Sequence, residues 1–341
     1  MSKLGPGPRN LITDVAGLKV GQAEDAAART GVTVILPDAR AVCACDVRGG
    51  APGTRETDAL APENLVEEAD AVVLSGGSVY GLAAADGVTA ALGAAGRGYR
   101  LASAEGVPVS PIVPAAILYD LANGGDKAWG EEPPYRDLGR QAARSASDRF
   151  ALGTAGAGCG AMAGRLKGGV GSASAAGEDG FTVGAVVAVN SYGAAVAPGG
   201  RTFWAAPYEL EGEFGGLGAA GLSAAPDDWG LAKGPPGAGR ANTTIACVAT
   251  DAALTPAEAK RLAIMAQDGL ARALRPAHSP FDGDVVFALA TGRRRLGERR
   301  QMDVARLGAL AADCLARAIA RGVYEATPWP GTDVRCWRDL G

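Results

Sequence analysis

"AGRANTTIACVAT", Ala238–Thr250, sets an Asn-Thr-Thr triplet at the mouth of an apolar run. The approach, "KGPPGAGRA" (233–241), is rich in Gly and Pro, which interrupts regular structure. The run that follows, "TTIACVATDAAL" (243–254), predicts a buried strand. Three readings of the triplet compete: a plain turn, an N-x-T glycosylation acceptor, or a place where the chain cuts itself. The third has definite chemistry. The Thr243 hydroxyl attacks the Asn242 carbonyl, the peptide becomes an ester, and water frees a new N-terminal threonine. That residue carries its own base, an α-amine with an ordinary pKa of about 7.7–8.0.

Outward from the triplet, strand and helix signals alternate. "GVTVILPD" (31–38), "DAVVLSGG" (70–77) and "FTVGAVVAVNSYG" (181–193) are short apolar runs closed by turn residues, as buried strands are. "GLAAADGVTAALGAAG" (81–96) predicts a small-residue helix. Downstream, Thr255, Pro256 and Glu258 spell a capping box with proline at the first helical position, opening one helix over 255–275. "DGDVVFALATG" (282–292) is a turn feeding a strand, and 303–323 a helix that Gly322 is placed to stop. Residues 203–240 have weak periodicity and read as a long surface connection.

Composition narrows the function. With 341 residues and 48% hydrophobic content the chain can bury a large core, and with aromatics at 5% that core must be packed from small residues. A net charge of −4 with interleaved signs argues against a nucleic-acid partner. No apolar stretch reaches membrane-span length, and the polar opening "MSKLGPGPRN" predicts no secretory leader, so a cytoplasmic protein is expected and the glycosylation reading falls. The six cysteines form no CxxC pair. Cys43 and Cys45 sit at strand spacing as small buried residues, so neither a disulfide framework nor a metal is expected.

The single histidine, His278, lies in "RPAHSPFDGD" without a GxSxG elbow or HExxH helix, and reads as a loop residue making a local hydrogen bond. A hydrolase built on this chain needs another base. The glycine clusters lack both the phosphate-loop and the dinucleotide-binding spacing, so no nucleotide cofactor is expected; they read as close-packed turns, or as backbone N–H donors around a site. Asp282 and Asp284, two apart, share one side of an extended segment. They read either as a solvated turn or as a pair that holds the new ammonium and hydroxyl of Thr243.

"RANTTIACVATDAALTPAEAKRLAIMAQDGLARALRPAHSPFDGDVVFALATG" (240–292) resembles the L-aminopeptidase/D-esterase family, which includes β-aminopeptidases and the 6-aminohexanoate-oligomer hydrolases. "NLITDVAGLKVGQA" (10–23), "DVRGGAPGTRETDAL" (46–60), "VVLSGGSVYGLAAADGV" (72–88) and "PIVPAAILYDL" (111–121) carry the resemblance over nearly the whole chain, most weakly at 200–238. It implies an α+β fold, a four-layer αββα sandwich of the kind shared with ornithine acetyltransferase. It also implies one domain over 1–341, cut after Asn242 into 1–242 and 243–341.

The same resemblance makes Thr243 the nucleophile and Asn190 an oxyanion-binding or amine-orienting residue. It adds Tyr119 as a site tyrosine, and Lys167 as a site lysine with Arg165 as its alignment rival. The aminopeptidase branch uses a serine nucleophile after glycine, with serine and glutamate at the positions of the two aspartates. The nylon-oligomer branch shares Asn-Thr and D-x-D, which leans the expectation toward an amidase acting on oligoamide or peptide-like substrates. Alternatives are an aminopeptidase/D-esterase, an ornithine acetyltransferase-like acyl transferase, and an uncleaved non-catalytic protein. A homo-oligomer, a tetramer of cleaved pairs, is implied.

Overall fold

The computed structural model describes residues 4–102, 104–177, 180–220, 222–234 and 242–341. Strands β1 (Leu18–Asp25), β2 (Thr30–Pro37), β3 (Ala41–Val47), β4 (Thr54–Arg55), β5 (Glu68–Ala69) and β6 (Val72–Ser75) come first. Helix α1 (Ala83–Ala94), β7 (Ala115–Ile117) and helix α2 (Tyr135–Arg144) follow. Next are β8 (Met162–Ala163), β9 (Leu166–Lys167), β10 (Val170–Ala176) and β11 (Thr182–Asn190). The chain closes with β12 (Thr243–Ala252), α3 (Pro256–Ala266), α4 (Asp268–Ala273), β13 (Val285–Arg294) and α5 (Arg300–Tyr324).

Among the described residues two large sheets form, ordered β1-β2-β6-β7-β4 and β10-β11-β12-β13-β3-β5, beside a two-stranded β8-β9 ribbon. All ten residues of β12 are buried, because it is central in its sheet and covered on both faces. Its alternate residues serve two cores. Ile245, Cys247 and Ala249 meet Ile35, Leu74 and Ala116 of the other sheet. Ala246 and Val248 meet Leu262 of α3 and Leu315 and Ile319 of α5. Helices α1 and α2 cover the outer face of the first sheet through Val88, Leu138 and Ala142. The layers are therefore helix, sheet, sheet, helix. Small residues allow the close spacing: a Cβ on Gly171 would lie 1.8 Å from the Ala318 carbonyl oxygen of α5.

The capping box forms, with Glu258 N–H on Thr255 Oγ1 at 3.3 Å and Thr255 N–H on Glu258 Oε2 at 2.8 Å. Three expectations change. The helix over 255–275 is two helices, broken where the buried Gln267 turns its amide onto the Asp46 carbonyl at 2.8 Å. Gly322 does not stop α5, which runs on to Tyr324; it faces Gly169 and Gly171 at a tight crossing. The described part of 203–240 is a surface connection only in its second half: Phe203 and Phe214 anchor the first part in the core beside Trp337, while 215–220 and 223–229 are exposed. Isolated aromatic anchors leave no period to read. The approach loop 235–241 lies outside the described residues.

Candidate active site

β11 ends on Asn190 and β12 begins on Thr243, and their antiparallel register sets these two residues opposite each other, both buried. Asn190 is held from two sides. Its Oδ1 accepts the Met162 N–H at 2.9 Å and its Nδ2 donates to the Tyr119 carbonyl at 3.0 Å. Tyr119 therefore meets Asn190 through its backbone, and it also lines a cavity of about 180 Å³ with Asp120, Asn123, Met162, Asn190 and Lys233.

The two aspartates are buried in the turn before β13, and every oxygen of the pair has a protein donor. Asp282 Oδ1 accepts the Tyr192 N–H at 3.0 Å, and Oδ2 accepts the Ser279 N–H at 3.0 Å and its hydroxyl at 2.5 Å. Asp284 Oδ1 accepts the Thr244 N–H at 2.8 Å. Its Oδ2 takes the His278 N–H at 3.1 Å and faces His278 Nδ1 at 2.9 Å. Burial, and after it the neighbouring Asp284 charge, push the Asp282 carboxyl above the usual carboxylate range.

Between them stands Gly283, which sequence reasoning passed over. Its N–H donates to the Asn242 carbonyl at 3.2 Å, and the Thr243 hydroxyl bonds that same carbonyl oxygen. A Cβ on Gly283 would come within 2.8 Å of Thr243 Oγ1 and 2.6 Å of the Ala51 oxygen, so only glycine lets this turn lie against the threonine. The turn is backed by the Arg-Gly-Gly-Ala stretch at 48–51. Ala51 N–H donates to the Asp282 carbonyl at 2.8 Å, and Arg48 and Gly49 N–H to the Asp284 carbonyl at 3.0 and 3.3 Å.

The basic candidates separate. Lys167 is fully buried, and its ammonium donates to the carbonyls of Gly158, Ala161 and Gly168 at 3.1, 3.0 and 2.7 Å. It also stands 5.0 Å from the Trp329 ring centre. Three acceptors match the three donors of an ammonium, while burial pulls its pKa down to about 7. These partners lie in its own glycine loop, not in the Thr243 cluster. Arg165 is exposed and donates to the Gly230 carbonyl at 2.6 Å. Lys233, which the sequence did not single out, comes to the site: its Nζ lies 3.5 Å from the Asn190 carbonyl oxygen. Burial pulls its pKa down to about 7, with the Asp282 charge opposing. Its place at the edge of a Gly/Pro-rich stretch was the one available signal.

Among the described residues no group of three or more His, Cys, Asp or Glu could hold a metal ion, and no helix is long and apolar enough to cross a membrane. The pattern of Peptidase family S58 matches residues 10–336. The chain belongs to this family. It is 46% identical to an uncharacterized aminopeptidase of Mycobacterium tuberculosis, over 97% of this chain and 98% of the relative. It is 28% identical to a 6-aminohexanoate-oligomer endohydrolase of a Kocuria species, over 92% of this chain and 86% of that one. A Burkholderia β-aminopeptidase structure superposes with a TM-score of 0.67 at 24% identity, covering 96% of this S58 chain and 89% of the other. The L-aminopeptidase D-Ala-esterase/amidase of Ochrobactrum anthropi, described as a variant of the Ntn hydrolase fold, gives 0.66 at 20% identity, covering 97% and 90%. The S58 chain shares that fold.

Proposed function

We propose that this S58 member is a self-processing N-terminal-threonine hydrolase of amide bonds in peptide-like or oligoamide substrates. The observation that carries the reading is the pair of donors, the Thr243 hydroxyl and the Gly283 N–H, on the carbonyl of the bond to be cut. Thr243 Oγ1 attacks the Asn242 carbonyl carbon while the Gly283 N–H steadies the developing oxyanion. The peptide C–N bond breaks, the Thr243 nitrogen takes a proton, and an ester joins Asn242 to the threonine oxygen. Water then splits the ester into the Asn242 carboxylate and a free hydroxyl, leaving chains of 242 and 99 residues.

The freed amine serves as base for the next reaction. It takes the Thr243 hydroxyl proton as oxygen attacks the substrate carbonyl and passes it to the departing amine. Water hydrolyses the acyl-enzyme. Among the described residues each Asp Oδ1 accepts a single donor in the uncut chain, so each has a lone pair with which to hold the new ammonium. Asn190, fixed opposite Thr243, orients that amine or the oxyanion. The reading includes a cytoplasmic homo-oligomer, a tetramer of cleaved pairs, which sedimentation of the processed protein tests.

A second reading, release of single N-terminal residues, is favoured by the 46% identity to the mycobacterial aminopeptidase. Intact-mass measurement tests the common step. The wild-type chain is expected as two pieces with threonine opening the smaller, and Thr243→Ala as one. An intact wild-type chain after incubation across pH removes the mechanism. Amino-acid amides, β-peptides and 6-aminohexanoate oligomers then separate the substrate classes.

A further inference from the structure

We infer that His278 is a positioning residue, whose ring fixes Asp284 and through it the backbone on both sides of the Asn242–Thr243 bond. The inference rests on the reading of Thr243 above and extends it to a residue outside the nucleophile cluster. His278 places two groups on one oxygen of Asp284: its own N–H at 3.1 Å and its ring Nδ1 at 2.9 Å. A carboxylate accepts only, so the facing Nδ1 carries the proton. The other oxygen of Asp284 receives the Thr244 N–H at 2.8 Å, one residue beyond the bond to be cut. The Asp284 amide follows Gly283, whose N–H meets the Asn242 carbonyl. One carboxylate thus ties the ring, the start of β12 and the oxyanion donor into a single chain of contacts.

The backbone supports the assignment. His278 has φ +54°, in the left-handed region that a side chain with a Cβ enters at a cost. That conformation turns its N–H and its ring toward the same oxygen, so the strain is offset by two bonds to a buried charge. His278 also lines a separate cavity of about 460 Å³ with Trp204, Arg272 and Arg275, so the residue stands between that space and the acid pair.

Four substitutions separate the ring from the backbone. Asparagine tolerates the left-handed region and sets an amide N–H near the place of Nδ1. Glycine accepts the conformation and supplies no side-chain donor. Glutamine reaches the place of Nε2 instead, and alanine lacks both donor and tolerance. In a time course of self-cleavage after cell-free synthesis of the full chain, His278→Asn is expected within about threefold of wild type. His278→Gly, His278→Gln and His278→Ala are expected slower by on the order of tenfold or more, the worth of a hydrogen bond to a charged group. Equal rates for His278→Gly and His278→Asn, with wild type cutting normally, overturn the positioning role and leave the Thr243 reading standing. A wild-type chain that stays whole overturns the Thr243 reading instead.

A second measurement does not need cleavage. With one histidine in the chain, the ring nitrogens of untagged, ¹⁵N-labelled Thr243→Ala protein give unambiguous signals. The Nδ1–H tautomer is expected, with its signal moved by Asp284→Asn. An Nε2–H ring indifferent to Asp284→Asn overturns the proposal.

Discussion

Two loops flank the end of β11, and both bury charge: 158–168 with Lys167, and 278–284 with two aspartates. The first satisfies its charge from within, since all three acceptors around the Lys167 ammonium are carbonyls of that loop. The second satisfies its charges partly from within, on Ser279 and His278, but each aspartate also reaches outside, to Tyr192 after β11 and to Thr244 in β12. A charge solvated by its own loop fastens that loop. A charge solvated by the ends of other strands fixes those strands against one another, which is what cutting a chosen bond requires. Burial of a titratable group alone does not distinguish the two cases; the ownership of its partners does.

The largest effect that sharpens this contrast is at Gly283. A methyl there meets Thr243 Oγ1 and the Ala51 oxygen at 2.8 and 2.6 Å, so Gly283→Ala must push the turn off the Asn242 carbonyl. Loss of one oxyanion donor costs on the order of a hundredfold or more in rate. Gly283→Ala is therefore expected to remain largely uncut by intact mass while keeping wild-type circular dichroism. Normal cleavage would detach the acid loop from the scissile bond and dissolve the comparison.

Much of this arrangement was legible in the letters. The apolar run after Asn242-Thr243, the strand ending on Asn190 and the D-x-D pair are side-chain patterns, and each falls beside the others in the fold. The capping box was legible because it is local, two residues answering one another across a four-residue span. What stayed hidden belongs to the backbone or to long-range burial. The Gly283 N–H has no letter of its own. His278 was visible as a local hydrogen-bonder, but its partner's link to Thr244 was not. Lys167 and Lys233 carry the same side chain, and only the fold decides that one faces glycine carbonyls and the other Asn190. Gly322 looked like a helix stop, whereas a close crossing with β10 uses it inside α5.

The intermediate effect is on stability, at Lys167. Its pKa in the fold is about 7, against about 10.4 for an unfolded lysine. Between those values the unfolded chain holds a proton that the folded chain has given up, so stability rises with pH across that window. Wild type is expected to gain stability relative to Lys167→Met from about pH 7 toward pH 10, read as the difference in denaturant midpoint between the two proteins. Thiols away from Lys167 titrate equally in both and cancel, whereas burial raises the pKa of Cys159 and Cys336 and the Lys167 charge lowers it, so these two belong to the difference read. The variant that folds should still cut itself, since the three carbonyls that hold the Lys167 ammonium belong to its own loop and none to Thr243, Asn242 or Asn190. A folded Lys167→Met chain that stays whole would break the distinction between the loops.

The smallest effect is expected at Lys233, and it tests the same rule from the other side. Its ammonium lies by the Asn190 carbonyl oxygen and lines the cavity that Tyr119 and Asn190 share, with the Asp282 charge close enough to raise its pKa against burial. A charge shared with the site in this way should tune turnover without being needed for the cut. Lys233→Met is expected to process fully and to lose less than about tenfold in kcat/KM, a difference of under about 1.4 kcal/mol. With a folded-state pKa of about 7, the lysine loses its charge as pH rises through neutrality. The ratio of wild-type to Lys233→Met turnover should therefore change most around pH 7 and flatten above it. A ratio constant from pH 6 to pH 9 would assign Lys233 to the fastening kind of charge, with Lys167, and would leave the acid loop as the sole source of charge at the scissile bond.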